Sequence, residues 1–372
     1  MRELDAILEC WRRNPSAPGV LATVVHVEGS AYRRPGARML ISPGGAHIGT
    51  ISGGCLEGDV ARKAAWWTAG GAPALRVYDT MSDEDAAWEF GLGCNGVIHV
   101  LLEPLSHGGT QALLAHLDRC LSSRRDTVVA TVIRCGGGRY RQGDHFFGSD
   151  MPAEFSEQAA AVLDARRSRL LHLPGADVFL EHVAPPQRLV VLGAGHDALP
   201  VVSSAASLGW DITVADVRSG YAKPSRFPGA SSVVTIPPTG DVDLGIDADT
   251  AVVFMTHNFP LDTRLLPGVL AKRPRYVGLL GSWMRTKRLF EAAGQDLRGP
   301  HIHAPVGLDL GGESPESIAL AIVAEIEASL HGRTAASLRW RQDPIHDAVV
   351  TVGRPSERLA EAVREPATCE IA

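Results

Sequence analysis

The chain has no Cys-x-x-Cys pair, and none of its Cys and His spacings matches a zinc finger. Six cysteines stand singly at positions 10, 55, 94, 120, 135 and 369, so a closely spaced dithiol motif is excluded and free thiols are expected. An excess of positive charge is also missing. Thirty-six Lys and Arg against 42 Asp and Glu leave a net charge of −6, which argues against a nucleic-acid-binding surface. No apolar run approaches the ~18 residues of a membrane span. The opening MRELDAILECWRRN lacks the apolar core of a signal peptide. The expectations are a cytoplasmic protein with neither a membrane nor a nucleic-acid partner. Internal repeats and low-complexity segments are absent as well.

What is present suits a globular α/β protein. The 372 residues allow two domains, and a hydrophobic content of 45% supplies real cores. Residues 2–13 read as a helix, and 19–27, GVLATVVHV, as a strand. Further strands are expected at 74–78, 96–103 and 126–134, with a helix near 110–122, a loop or hairpin over 136–150, and a helix and strand within 155–183. The two prolines of APPQ (184–187) interrupt the pattern. Beyond them strands alternate with helices, at 251–257 and 276–282 and at 261–271, 283–294 and 315–331, which predicts a parallel, doubly wound sheet. The expected organisation is an N-terminal α/β domain over 1–184, a Rossmann-like domain over 188–335 and a weakly patterned tail over 336–372.

The second domain opens on VVLGAGHDA. Gly193, Gly195 and Ala198 fit the G-x-G-x-x-G/A loop between a strand and a helix, and Asp216 ends the next strand. Gly193 permits the tight turn, Gly195 lets a phosphate approach, and Asp216 can accept bonds from a ribose hydroxyl. His196 puts an imidazole beside the phosphate position. His257, in MTHNFPLD, either caps a strand end or serves as an acid/base. His196, Asp216 and His257 are expected around one crevice, where open α/β sheets bind ligands, and Arg285 and Lys287 follow another strand and can meet a phosphate.

Two cysteines sit among glycines rather than in apolar runs: Cys55 in GTISGGCLEGD and Cys94 in GLGCNG. Cys10, Cys120 and Cys135 are read instead as small buried hydrophobes. A helix is expected to start at Gly54–Cys55. There a thiol gains thiolate character, and the N–H groups of Gly53 and Gly54 can cradle a phosphate. A soft thiolate suits a soft metal centre. The alternative for Cys55 and Cys94 is a glycine-permitted turn around an inert cysteine.

The segments GSAYRRPGARML, GTISGGCLEGDV, GLGCNG, VLGAGH, DVRSGYAKPSRFPGA, MTHNFPLD, GLLGSWMRTKR and HAPVGLDLGGESPESIALAIVAEI together resemble the XdhC/CoxI maturation factors. These are accessory proteins of xanthine dehydrogenase and related molybdenum hydroxylases. The resemblance runs in order from near residue 1 to about 330. It implies a protein that binds molybdenum cofactor, in the molybdopterin or a dinucleotide form. Such a protein holds the cofactor while molybdenum gains its sulfido ligand from a cysteine desulfurase partner, and passes it to an apo molybdenum hydroxylase. By that resemblance Cys55 and Glu57 match the cysteine and glutamate of the family's G-G-C-x-E motif, with Cys55 the metal ligand. Arg33 matches the arginine after GS, Gly36 the glycine before the apolar strand, and Cys94 the second cysteine. Two departures stand out: Asn95 replaces a glycine after Cys94, and AYRRPG replaces the usual TPR form.

The leading reading is therefore a cofactor chaperone with little or no turnover of its own. The competing readings are an NAD(P)-dependent oxidoreductase and a nucleotide-sensing regulator, in which the second domain takes an adenine nucleotide. A homodimer is expected, from the resemblance and from the Trp66–Trp67 pair.

Overall fold

The computed structural model describes residues 2–79, 96–239, 242–296, 299–342, 345–346, 349–354 and 364–365. Cys94 and Asn95 lie outside them. The chain divides into two units, residues 2–185 with 346–372, and residues 186–345. Among the described residues no helix is long and apolar enough to cross a membrane.

The first unit is built on two sheets. One holds β1 (Val20–Gly29), β2 (Arg38–Ile41), β3 (His47–Gly49), β4 (Ala74–Asp79), β5 (Gly96–Pro104) and β17 (Arg364–Glu365), in the order β17-β4-β5-β1-β2-β3. The other holds β6 (Thr127–Cys135), β7 (His145–Phe147), β8 (Arg169–Leu173), β9 (Ala176–Val183) and β16 (Val350–Val352), in the order β16-β8-β9-β6-β7. Apart from β16 and β17, neighbouring strands in both sheets run antiparallel.

The alternation of a strand's side chains explains the layering. On β1, Val20, Ala22 and Val24 pack with Leu56, Val60 and Ala64 at α2 (Glu57–Trp67). Val25, one step out of phase, packs with Leu101 and with Ile133 and Phe179 of the second sheet. On β6, Val128, Ala130 and Val132 pack with Phe155, Ala159 and Val162 of α4 (Ala153–Ala165). The order of layers is thus helix, sheet, sheet, helix. Helices α1 (Arg2–Arg13) and α3 (Gly108–Ser123) close one border of the inter-sheet core through Ile7, Leu8, Leu113 and Leu117. Cys120 is buried there as expected, but Cys10 is exposed. It faces away from the apolar stripe that docks α1.

Polar groups also cross between the sheets. Buried Arg38 is ion-paired with Glu181, and His145 Nε2 lies 2.6 Å from Glu103. The segment after residue 336 is not simply a tail, because β16 adds in parallel to β8.

The second unit is a six-stranded, fully parallel sheet of β10 (Arg188–Leu192), β11 (Asp211–Asp216), β12 (Ser232–Thr235), β13 (Thr250–Phe254), β14 (Tyr276–Leu279) and β15 (Ile302–His303). Its order, β12-β11-β10-β13-β14-β15, is that of the dinucleotide-binding fold. Leu189 and Val191 pack against α5 (Ala198–Ser207) and α8 (Pro315–Leu330). Val190 and Leu192 pack against α6 (Phe259–Ala271) and α7 (Trp283–Ala293) on the other face. The expected doubly wound sheet is present.

Candidate functional site

The Gly53–Gly54–Cys55 turn hangs from one side chain. Glu57 Oε1 accepts from Ile51 N–H at 3.0 Å and Ser52 N–H at 2.7 Å, and its Oε2 accepts from Gly54 N–H at 3.1 Å and from the Ser52 hydroxyl. Ser52 Oγ accepts in turn from Leu56 N–H at 3.0 Å. Burial alone raises the Glu57 carboxyl, but the Ser52 hydroxyl and these N–H groups outweigh it and hold the carboxyl below the usual range. Glu57 therefore faces inward and builds the turn.

Those bonds correct the expected helix start. The Gly54 N–H is captured by Glu57 and the Leu56 N–H by Ser52, and Gly54 sits at φ +110°. Helix α2 begins only at Glu57. The Gly54 N–H points into the turn rather than outward to a phosphate. A Cβ at Gly54 meets nothing within 4 Å, so the backbone conformation, not crowding, demands glycine there. Cys55 is half-buried and packs against the core that includes Leu56 and Val60. The ring of Tyr32, an exposed residue, lies beside Gly53, whose Cβ would sit 3.5 Å from it. Arg33 is ion-paired with Glu3, and Glu3 accepts from the Thr50 hydroxyl at 2.9 Å. That chain ties α1 to the segment leading into the turn.

Sequence reasoning missed Ser52, Tyr32 and Glu3. The serine preceding GGC was the available signal for the first, and the tyrosine of AYRRPG for the second. A separate cavity of about 750 Å³, lined by Ala17, Pro18, Ile41, Ala65 and Leu105 among others, contains none of the expected residues.

In the second unit the glycine loop follows β10 as expected. Gly193 has φ +119°, and a Cβ there would collide with the Met255 carbonyl. At Gly195 a Cβ would strike the Asp197 carboxylate. Asp216 ends β11 but is buried. It accepts from Ala194 N–H and the Arg218 guanidinium, each at 2.7 Å, and from Arg218 N–H at 2.8 Å. Burial raises its carboxyl, yet the Arg218 side chain and those N–H groups more than offset this and keep it below the usual range. The guanidinium of Arg218 lies over the Tyr221 ring, as does that of Arg226.

His257 follows β13 at φ +54°, a left-handed conformation uncommon outside glycine. Its Nε2 meets Asp197 Oδ2 at 2.6 Å. His196 is exposed in the same loop as Asp197. The structure thus connects Gly193, Asp197, Asp216 and His257 along three adjacent strand ends. Arg285 is instead bonded to buried Asp262 at 2.6 Å, and Lys287 lies 3.9 Å from Glu291 on the exposed face of α7. Asp197 and Arg218 were missed, although each stands within two residues of a predicted one.

Comparison with known proteins agrees in both units. Residues 13–79 match the XdhC and CoxI family, and residues 189–326 match the XdhC Rossmann domain. The chain is 35% identical over 335 residues to a Bacillus subtilis protein named as a probable xanthine dehydrogenase subunit, covering 87% of this chain and 95% of that protein. It is 27% identical over 312 residues to the molybdenum cofactor insertion chaperone PaoD of Escherichia coli, covering 82% of each. A crystal structure described as a xanthine dehydrogenase from Bacillus halodurans superposes with a TM-score of 0.74 at 30% identity, over 91% of this chain and 98% of the other.

Proposed function

The chain belongs to the XdhC/CoxI family, and we propose that it is an accessory protein of a xanthine dehydrogenase-type molybdenum hydroxylase, carrying molybdenum cofactor as cargo. The insertion-chaperone role named for PaoD supports this reading. The observation that carries it is the half-exposed Cys55 thiol, set on a turn that Ser52 and Glu57 hold rigid.

A thiolate there meets the soft metal end of the cargo. Gly54 leaves open space beside it, and Gly53 presents its backbone next to Tyr32. Glu57 acts through the turn's shape. By the family resemblance Cys94, between Gly93 and Asn95, is assigned the same chemistry. The protein holds the cargo while a cysteine desulfurase supplies the sulfido sulfur, and then releases it to the apo-hydroxylase. Trp66 is exposed beside its buried neighbour Trp67, and it provides the apolar contact for a two-fold dimer.

Residues 186–345 form the unit we assign to an adenine nucleotide. The favouring observation is the glycine loop stapled to Asp216, with the Arg218 side chain 46% exposed at the same strand end. Gly193 and Gly195 admit the phosphates, and His196, Asp197 and His257 border them.

The test is mass analysis of ligand retained on protein purified from a cofactor-replete host, with parallel titrations of ATP and NAD. Molybdenum and pterin in equal amounts are expected. Cofactor-free protein that also fails to take up added cofactor would refute the cargo reading.

A further inference from the structure

On the opposite face of the first sheet from Cys55, two imidazoles and a carboxylate meet. Strands β1 and β5 are antiparallel, with Val24 opposite Val100. A bulge at Val25 then shifts the register, so that His26 rather than Val25 stands opposite His99. In a regular ladder the two histidines would point to opposite faces; the extra residue aims both at the second sheet. Glu28, two residues along β1, shares that face.

His99 Nε2 lies 3.3 Å and His26 Nε2 3.7 Å from Glu28 Oε1, and one ligand atom from each residue falls within 4.8 Å of the others. Four-coordinate zinc with ligands at about 2.1 Å separates its donors by about 3.4 Å. The histidine side chains are 17% and 4% exposed and that of Glu28 is 58% exposed. Two ligands are thus fixed in the sheet, and the third opens to solvent.

We propose that His26, Glu28 and His99 bind a divalent transition-metal ion of zinc-like preference, with solvent in the remaining position. Two imidazoles and a carboxylate suit such an ion. The site is independent of the cargo reading.

Its metal-free form is held by Arg134, which donates to His99 Nδ1 at 3.0 Å and lies 3.7 Å from Asp177. With Nδ1 accepting, His99 carries its proton on Nε2, toward Glu28. Metal at Nε2 requires the proton on Nδ1 instead, so Arg134 must give up that bond and turn to Asp177. Arg134 therefore competes with the metal, by its hydrogen bond and by its charge.

The test is titration of metal-stripped full-length protein with Zn²⁺ against a chromophoric chelator, and with Co²⁺ by visible absorption. One saturable equivalent is expected, without thiolate charge-transfer bands in the cobalt form. His26→Asn and Glu28→Gln should each weaken zinc binding at least about tenfold, and Arg134→Gln, whose amide oxygen can accept from Nδ1–H, should tighten it about tenfold. Circular dichroism melts confirm that each variant is folded. No saturable equivalent in the wild type would overturn the site. So would wild-type affinity in folded His26→Asn and Glu28→Gln, or weaker binding in Arg134→Gln.

Discussion

His257 Nε2 and Asp197 Oδ2 lie 2.6 Å apart, so the loop after β13 is tied to the glycine loop after β10. The neighbouring residues fix His257 in its left-handed backbone. Thr256 Oγ1 donates to buried Asp262 at 2.5 Å, Asn258 N–H donates to Thr256 Oγ1 at 3.0 Å, and Asn258 caps α6. Asparagine tolerates that conformation and a β-branched residue does not. His257→Val should therefore lose roughly 1–2 kcal/mol more than His257→Asn. Denaturant midpoints of the two variants check this, and equal midpoints would contradict it.

Glu57 sets an acid limit on stability. Its carboxyl is held below the ordinary range in the folded chain. A depressed carboxyl stabilises fully above its unfolded pKa of about 4.3 and loses that contribution as pH falls through the folded value. Glu57→Gln removes the charged acceptor and should cost about 1–3 kcal/mol at neutral pH. Its stability should also fall less steeply on acidification below pH ~4.3 than that of the wild type. Thermal melts across this range, with both proteins side by side, provide the measurement.

Arg38 and Glu181 make a pair with side chains only 6% and 8% exposed. Arg38→Met leaves a carboxylate buried without its cation and should cost about 3–5 kcal/mol. Adding Glu181→Leu to that variant should restore much of the loss, because the desolvated charge is gone. A double-mutant cycle by chemical denaturation reads this. Additive losses in the double variant would show that the pair is not coupled.

The readable parts of this fold were the local ones. Gly193, Ala198 and Asp216 sit within one strand–helix–strand unit, so spacing alone placed them. The helices of the second unit were legible for the same reason, since each carries its own apolar stripe, and Asn258, Ser282 and Ser314 cap three of them. The start of α2 was misjudged because Glu57 turns back to bind Ile51, Ser52 and Gly54 N–H groups, a side-chain choice that periodicity does not record. Arg33 meets Glu3, which is distant in sequence, so no spacing signal marks that pair. Arg38 and Glu181 are 143 residues apart and carry no spacing signal. The pairing of His26 with His99 depends on a bulge at Val25, and strand alternation read from the sequence assumes an unbroken register.

Cys55 and Cys120 separate a reactive thiol from a structural one. Cys120 is buried, and burial, with Asp126 and Glu181 adding to it, pushes its thiol up to about 11. It should resist alkylation in the folded chain near pH 8, while half-exposed Cys55 is modified. If Cys55 meets the molybdenum, Cys55→Ala should lose most cofactor retention while stability changes by no more than about 1 kcal/mol. Cys55→Ser keeps the shape, replaces a soft donor with a hard one, and should also bind poorly. Cys120→Ala should do the reverse, altering stability more than retention. Gly54→Val places a β-branched residue at φ +110°, so the turn should distort and retention fall even with Cys55 intact. The measurement is molybdenum and pterin per monomer beside a thermal melt, which confirms that each variant compared is folded. Full occupancy in folded Cys55→Ala would remove the thiol from the cargo site and leave Ser52, Gly54 and Glu57 as a turn with a structural purpose only.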